Sequence, residues 1–351
     1  MDSVLNGIQS GLALKSQPWK VFSLFLAYAM VSPVRFQGGQ SQENVYFPHL
    51  NDGVWFSRTS IMVFAGEGYI ADTAGSWLSM PARLVIEAGK VNRQYFKDLV
   101  SYRELFLLLA WRDILVRYKQ TIIGVAWSVL RPLLTMVVFT IVFGRLAKMP
   151  SDGVPYPILV FAALLPWQFF SNTVSEGGNS LISNASMISK VFFPRIIIPT
   201  TAMIVSLIDF LISTLVLSAL MVWYQYVPTW KVVFLPLFLG LAAIAALGIT
   251  YLVSALNVKY RDFRYVLPFV IQFGLYISPV GFSSSVVPDK WRMVYSLNPM
   301  VGVIDGFRWA IIGNTSLYWP GFFLSVGIAI LLFVIGFLLF RRMEREFADV
   351  I

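Results

Sequence analysis

Cysteine is absent from the 351 residues, and histidine occurs once, as His49 near the N-terminus. Disulfides, Cys/His metal clusters, thiol nucleophiles and histidine acid–base chemistry inside apolar segments are therefore excluded. Charge is also scarce, with Asp, Glu, Lys and Arg at 13 % against 57 % hydrophobic residues and a mean hydropathy of +0.71. A soluble domain cannot cover its surface from such a composition, so the chain reads as a multi-span membrane protein. A phosphate loop of the form G-x-x-x-x-G-K-[ST] is missing as well. Its nearest fragment, Gly89 and Lys90, lacks both the earlier glycine and the following hydroxyl, so ATP hydrolysis by this chain is not expected. Gly66 and Gly68 resemble part of a dinucleotide motif but have no βαβ context. The formal charge of +9 comes from basic residues in short loops between apolar runs, not from a basic face interleaved with aromatics, and it argues for membrane topology rather than nucleic acid.

What is present is organised around Tyr102 to Arg145. Leu107, Trp111, Ile114 and Tyr118 form a helical stripe widened by Leu108 and Leu115, with Arg103, Arg112, Asp113, Arg117 and Lys119 off it. The spacing predicts an amphipathic helix over 102–120 that lies along the membrane surface. Six apolar runs follow, predicting spans at about 122–147, 157–174, 200–224, 232–256, 266–282 and 319–340. Gly177 and Gly178 are expected to break the second span and open a polar loop over 175–199, and Pro166 to kink the span itself. The region 283–314 mixes short apolar runs with charge and proline, which predicts one or two short helices in the outer leaflet, the second over 300–312. The fold class is thus an all-α integral membrane protein: a surface helix, six transmembrane helices, and short outer-leaflet helices between spans five and six.

Lys and Arg set the orientation. Arg112, Arg117, Lys119, Lys190, Arg195, Lys259, Arg261, Arg264, Arg341, Arg342 and Arg345 fall on one side, against Arg145, Lys148, Lys231, Lys290, Arg292 and Arg308 on the other. The richer side is expected to be cytoplasmic, with both termini there. Two charges lie deep within spans. Asp209 must face protein or water, bonded to a neighbouring Ser or Trp or serving transport, and Arg131 must snorkel or face an aqueous cavity. Most aromatics of the spans are expected to be anchors or packing, but Trp127, Phe139, Trp167, Phe170 and Tyr276, with Arg131, are candidates for a conduit lining, because an aromatic face stacks on a sugar ring. Residues 1–83 form an extension of unclear structure. Its apolar run Val21 to Val31 invites a signal-peptide reading, but cleavage there would leave the Arg112 to Lys119 cluster on the wrong side, and the remainder lacks periodicity and is expected to be poorly ordered.

The segments Arg112 to Ala147, Leu159 to Phe170, Asn179 to Pro199, Arg261 to Phe263 and Ser296 to Gly313, in this order, resemble the type-2 ABC exporter permeases that move lipid-linked polysaccharides such as O-antigen, capsule and teichoic acid. The resemblance covers about Val85 to Arg345 and so takes in the domain 84–351. It implies a homodimer in the cytoplasmic (inner) membrane, a separate ATP-binding subunit under each permease that holds ATP and magnesium, and a lipid-linked polysaccharide as substrate. No cofactor is implied in this chain. It also implies that Ser186, Ile188, Lys190, Val191, Phe192, Phe193 and Arg195 belong to the loop that docks on the ATPase, and that Arg112, Arg117, Tyr118 and Lys119 belong to the interface helix. An exporter of a drug or small lipid would share the fold. A secondary transporter would show paired halves and midplane acidic residues, but only Asp209 lies deep in a span and no repeat is evident; a membrane enzyme would need clustered carboxylates or histidines, and those are missing.

Overall fold

A computed structural model describes residues 54–57, 60–63, 99–119, 122–191, 193–260, 262–313, 317–344 and 347, without the side chains of the strands or of 119 and 122–125. The chain divides into two compact units, Met1–Ile86 and Glu87–Ile351. In the first, β1 (Val54–Ser57) pairs antiparallel with β2 (Ser60–Val63), Val54 opposite Val63 and Ser57 opposite Ser60. The rest of that unit, including the Val21 to Val31 run, lies outside the described residues.

The described part of the second unit is helical. The surface helix α1 (Arg103–Lys119) precedes α2 (Ile122–Phe139), which continues as a π-helical stretch, Thr140–Leu146. Then come α3 (Tyr156–Ser183), the four-residue α4 (Ala185–Ile188), α5 (Ile197–Trp223), α6 (Leu235–Lys259) after a 3-10 turn, and α7 (Phe263–Ile277). The short α8 (Asp289–Tyr295) and α9 (Pro299–Ile312) lead to α10 (Trp319–Met343). Among the described residues, five helices are long and apolar enough to cross a bilayer: Ala126–Leu146, Tyr156–Ser183, Ile197–Trp223, Trp230–Lys259 and Trp319–Met343.

Two differences from the sequence-based expectation have clear causes. The helix carrying the second span does not stop near residue 174 but runs to Ser183, with Gly177 and Gly178 buried inside it. A mid-helix glycine costs only about 1 kcal/mol relative to alanine, and here it permits close packing. A Cβ on Gly177 would collide with the Thr250 side chain, and one on Gly178 would lie 3.0 Å from both Leu267 and Val253. Pro166 likewise sits inside α3 without ending it. The second difference is α7, which has 15 residues and ends at Ile277 where a short span over 266–282 was expected. At about 1.5 Å per residue it is roughly 22 Å long, short of a hydrocarbon core of about 30 Å. Pro279 cannot donate to the helix, and the chain goes on as irregular backbone through Ser278, Pro279, Val280 and Gly281, all buried.

That irregular backbone is tolerable in a membrane because side chains satisfy it. Tyr295 donates to the Ile277 carbonyl at 2.8 Å, Tyr156 to that of Gly281 at 2.6 Å, and Asn298 to the Ser278 hydroxyl at 2.9 Å. Arg308, 1 % exposed, donates to Val280 and Phe282 carbonyls at 3.1 and 2.6 Å and to that of Leu159 in α3 at 3.3 Å. The helix bearing it, α9, is itself closed at both ends. Asn298 caps its first turn by accepting from Met300 N–H at 3.0 Å, and Lys231 donates to the carbonyl of Gly313, which follows at φ 77°, at 2.9 Å.

The main apolar core surrounds α3, whose residues Ile158 to Leu165 are almost wholly enclosed by α5, α6 and α9. A second apolar cluster joins Leu109, Leu181, Ile188, Phe193, Ile196, Tyr251, Phe340 and Phe347 at the opposite end of the bundle, here called the basic end. Between α6 and α10 the backbones touch, since a Cβ on Gly336 would overlap the Gly248 carbonyl oxygen. Gly336→Val is therefore expected to push these helices apart, costing about 1–3 kcal/mol by overpacking and lowering the melting temperature in detergent by several degrees. An unchanged melting temperature would show that the contact is looser than this.

Candidate functional site

The loop between α3 and α5 begins where Asn184 ends α3. Its amide donates to the Ser180 carbonyl at 2.9 Å while its oxygen accepts from Arg112 Nη2 of α1, also at 2.9 Å. From there the side chains divide. Ile188 and Phe193 turn inward and are 4 % exposed, filling the basic-end cluster beside Leu109 and Phe340. Ser186, Ser189, Lys190 and Val191 face outward. Arg195 is anchored too: its backbone N–H donates to Glu344 Oε1 at 2.8 Å, and its Nη1 to the Glu344 carbonyl. The result is a polar, cationic crown on a fixed apolar seat. Phe192 lies outside the described residues.

Directly beside the loop, α1 is fastened to α3 and α5 by charge. Arg112 pairs with Asp113 at 2.7 Å, and Thr201 of α5 donates to the other Asp113 oxygen at 3.2 Å. Arg117 holds Glu176 of α3 and, at 2.6 Å, Asp209 of α5. Tyr118 donates to the remaining Asp209 oxygen at 2.5 Å. Asp209 is only 6 % exposed, so the ion pair and the phenol compensate a carboxylate that lipid could not. Burial alone would lower the Arg117 pKa, but the Glu176 and Asp209 carboxylates outweigh it and raise it. Burial, reinforced by the bond to Asp209 and its charge, raises that of Tyr118, so the phenol stays a donor. Lys119 closes α1.

The expected stripe of α1 is outward only in part. Leu107, Leu108, Trp111 and Leu115 are exposed, joined by Val116, but Ile114 is half-buried and Tyr118 turns inward to Asp209, while Leu109 and Ala110 are buried against the bundle. An apolar face presented outward beside a basic edge suits the plane of a membrane surface.

The six conduit candidates separate into groups. Phe139, Trp167 and Phe170 are buried within the subunit, whereas Trp127, Arg131 and Tyr276 are exposed. Tyr276 and Phe139 meet at 6.2 Å between ring centroids, and Trp167 lies 5.5 Å from Phe170. Trp127 and Arg131 share the outer face of α2 with Leu134 and Val138. Sequence reasoning singled out Asp209 but not its partners, and missed the roles of Glu344 and Arg308. Asp209 is paired with Arg117 and Tyr118 rather than with a Ser or Trp; those partners are 92 and 91 residues away, so no local pattern links them. Glu344 gave no signal of its own. Arg308 had one, an arginine three residues after Asp305 in an otherwise apolar helix. Among the described residues no three His, Cys, Asp or Glu side chains converge as a metal site would need.

Two relatives are O-antigen export system permease proteins RfbA. The one from Myxococcus xanthus is 28 % identical over 215 residues, covering 60 % of this chain and 82 % of the relative, and one from Klebsiella pneumoniae is 26 % identical over 263 residues, covering 75 % and 98 %. The family model described as ABC-2 type transporter matches residues 104–312, from the first turn of α1 to the last residue of α9. With more than half of its length matched, the chain belongs to the ABC-2 type transporter family.

Proposed function

We propose that this chain is the membrane-spanning subunit of an ATP-driven exporter that moves a lipid-linked polysaccharide, of the O-antigen or capsule kind, across the cytoplasmic membrane. The observation that carries the reading is the outward crown of Ser186, Ser189, Lys190 and Val191 on a base fixed to α1, α5 and the end of α10. Such a loop can receive force from another chain and pass it on without yielding, which suits a pump split between two polypeptides. The names of the relatives support the substrate class. In this reading two copies of the chain form the passage, each over one ATP-binding subunit that supplies ATP and magnesium. Lys190, Lys259, Arg341 and Arg342 support a cytoplasmic position for the basic end, and this reading puts both termini on the same side. Trp127, Arg131 and Tyr276, exposed on a single subunit, are the aromatic and cationic groups available to the passage.

The test is charge reversal at the crown. Lys190→Glu is expected to leave membrane insertion and melting unchanged, because the side chain is exposed. It should weaken the ATP-binding subunit's attachment and lower export about tenfold, the scale of losing one well-placed interfacial charge. Export at the wild-type rate with the partner still attached would remove the loop from the docking surface. Stimulation of ATP turnover by a small amphiphile, and not by a lipid-linked glycan, would overturn the substrate class.

A further inference from the structure

The docking loop is attached to more than the two helices it joins. Glu344 lies one residue beyond α10, and its carboxylate accepts from the Arg195 N–H at 2.8 Å while its carbonyl accepts from the Arg195 guanidinium. Three residues on, Phe347 is 1 % exposed and packs edge-on against Phe340, ring centroids 5.4 Å apart. Phe340 and Phe347 belong to the same apolar cluster as Ile188, Phe193 and Ile196 of the loop. The loop is thus stitched to the end of α10 by two hydrogen bonds and a shared apolar seat.

The helix so engaged reaches the other end of the bundle. Along its length α10 packs closely on α6, with Gly336 against Gly248, and near its start Ser325 donates to the Ser296 carbonyl at 2.9 Å. Ser296 is the first of the three residues between α8 and α9. A rigid helix about 37 Å long at 1.5 Å per residue therefore joins the loop to the far-end segment without passing through α3 or α5.

We infer that Glu344 is a positioning residue for transport: it locks the docking loop to α10, so that displacement of the loop by the ATP-binding subunit moves α10 and, with it, the junction of α8 and α9. This rests on the reading of the loop as the docking site. The chemistry makes a specific demand, because Arg195 offers a backbone N–H to the carboxylate and its charge to a carbonyl. The Arg195 N–H requires an acceptor oxygen on the side chain at position 344, which glutamine offers and alanine does not.

The natural absence of cysteine allows the strap to be measured directly in the full-length protein. Spin labels on Lys190→Cys and Arg342→Cys, both exposed positions, report the distance between loop and helix in the protein without its partner, while export is followed with the ATP-binding partner in unlabelled protein that keeps Lys190. In nucleotide-free membranes the distribution should be narrow in the parent and in Glu344→Gln, which keeps the oxygen, and broad in Glu344→Ala. With ATP, Glu344→Ala should lose about tenfold in polysaccharide exported per ATP hydrolysed, while Glu344→Gln stays near the parent. A narrow distribution and parental export in Glu344→Ala would overturn the inference, as would Glu344→Gln failing as badly as Glu344→Ala. If instead the parent shows no response to the partner at all, the docking reading fails, while the nucleotide-free distances still judge the strap by themselves.

Discussion

Replacing Arg308 by methionine is expected to prevent the protein from reaching a stable folded state in the membrane. The guanidinium is 1 % exposed and serves carbonyls of Leu159, Val280 and Phe282, so its removal leaves three acceptors facing an apolar side chain. Leu159, inside α3, keeps its helical partner, so two carbonyls are left unsatisfied; at about 1–3 kcal/mol each the loss is on the order of 2–6 kcal/mol, a large part of the whole stability of an ordinary domain. The check is yield and monodispersity in detergent, together with thermal melting. Arg308→Lys should be intermediate, because an ammonium is a point donor that cannot span three carbonyls in a planar fork. Wild-type melting of Arg308→Met would mean that the broken end of α7 is held by something else.

This residue also shows how far the sequence could be read. The long apolar helices, the surface helix and the short outer helices were legible because hydrophobic length and period are local properties. Helix α1 was expected at 102–120 and lies at Arg103–Lys119, and α9 was expected over 300–312 and lies at Pro299–Ile312. Pairings between distant segments were not legible. Arg308 looked like one more cation of an outer loop, yet its partners lie 149, 28 and 26 residues away. Glycines misled for a related reason: Gly177 and Gly178 read as helix breakers, whereas α6 and α7 pack against the space they leave. Among the expected docking residues, type alone did not separate Ile188 and Phe193, which anchor the loop, from Lys190 and Val191, which face out.

The second large effect is expected at the clasp between α1 and the bundle. Arg117→Ala removes the cation held by Glu176 and Asp209 and leaves Asp209, 6 % exposed, with only the Tyr118 hydroxyl. Breaking one side of a largely buried pair costs about 3–5 kcal/mol, and the estimate belongs at the lower end because the Arg117 side chain keeps 30 % of its surface exposed. Neutralising the stranded carboxylate should reverse part of the damage. The double variant Arg117→Ala/Asp209→Asn is expected to be more stable than Arg117→Ala by about 1–2 kcal/mol, a coupling typical of side chains in contact. Thermal melting of both variants and the parent measures this. If Asp209→Asn adds its own loss on top of that of Arg117→Ala, the two residues do not act as a pair.

The clasp and the strap serve the same end. Arg117 and Arg112 hold the surface helix to α3, α5 and the start of the loop, and Glu344 holds the end of the loop to α10. A displacement applied at Lys190 therefore has stiff connections to three elements at the basic end, which is what rigid-body transmission between two alternative arrangements requires.

The account is tested most directly by reconstituting the purified chain in vesicles, with and without its ATP-binding subunit, and following the transfer of a lipid-linked polysaccharide from one leaflet to the other. Transfer that needs both the partner and ATP, with this chain alone inert, is the predicted result. Sustained transfer by this chain in the absence of any nucleotide-hydrolysing subunit would contradict it.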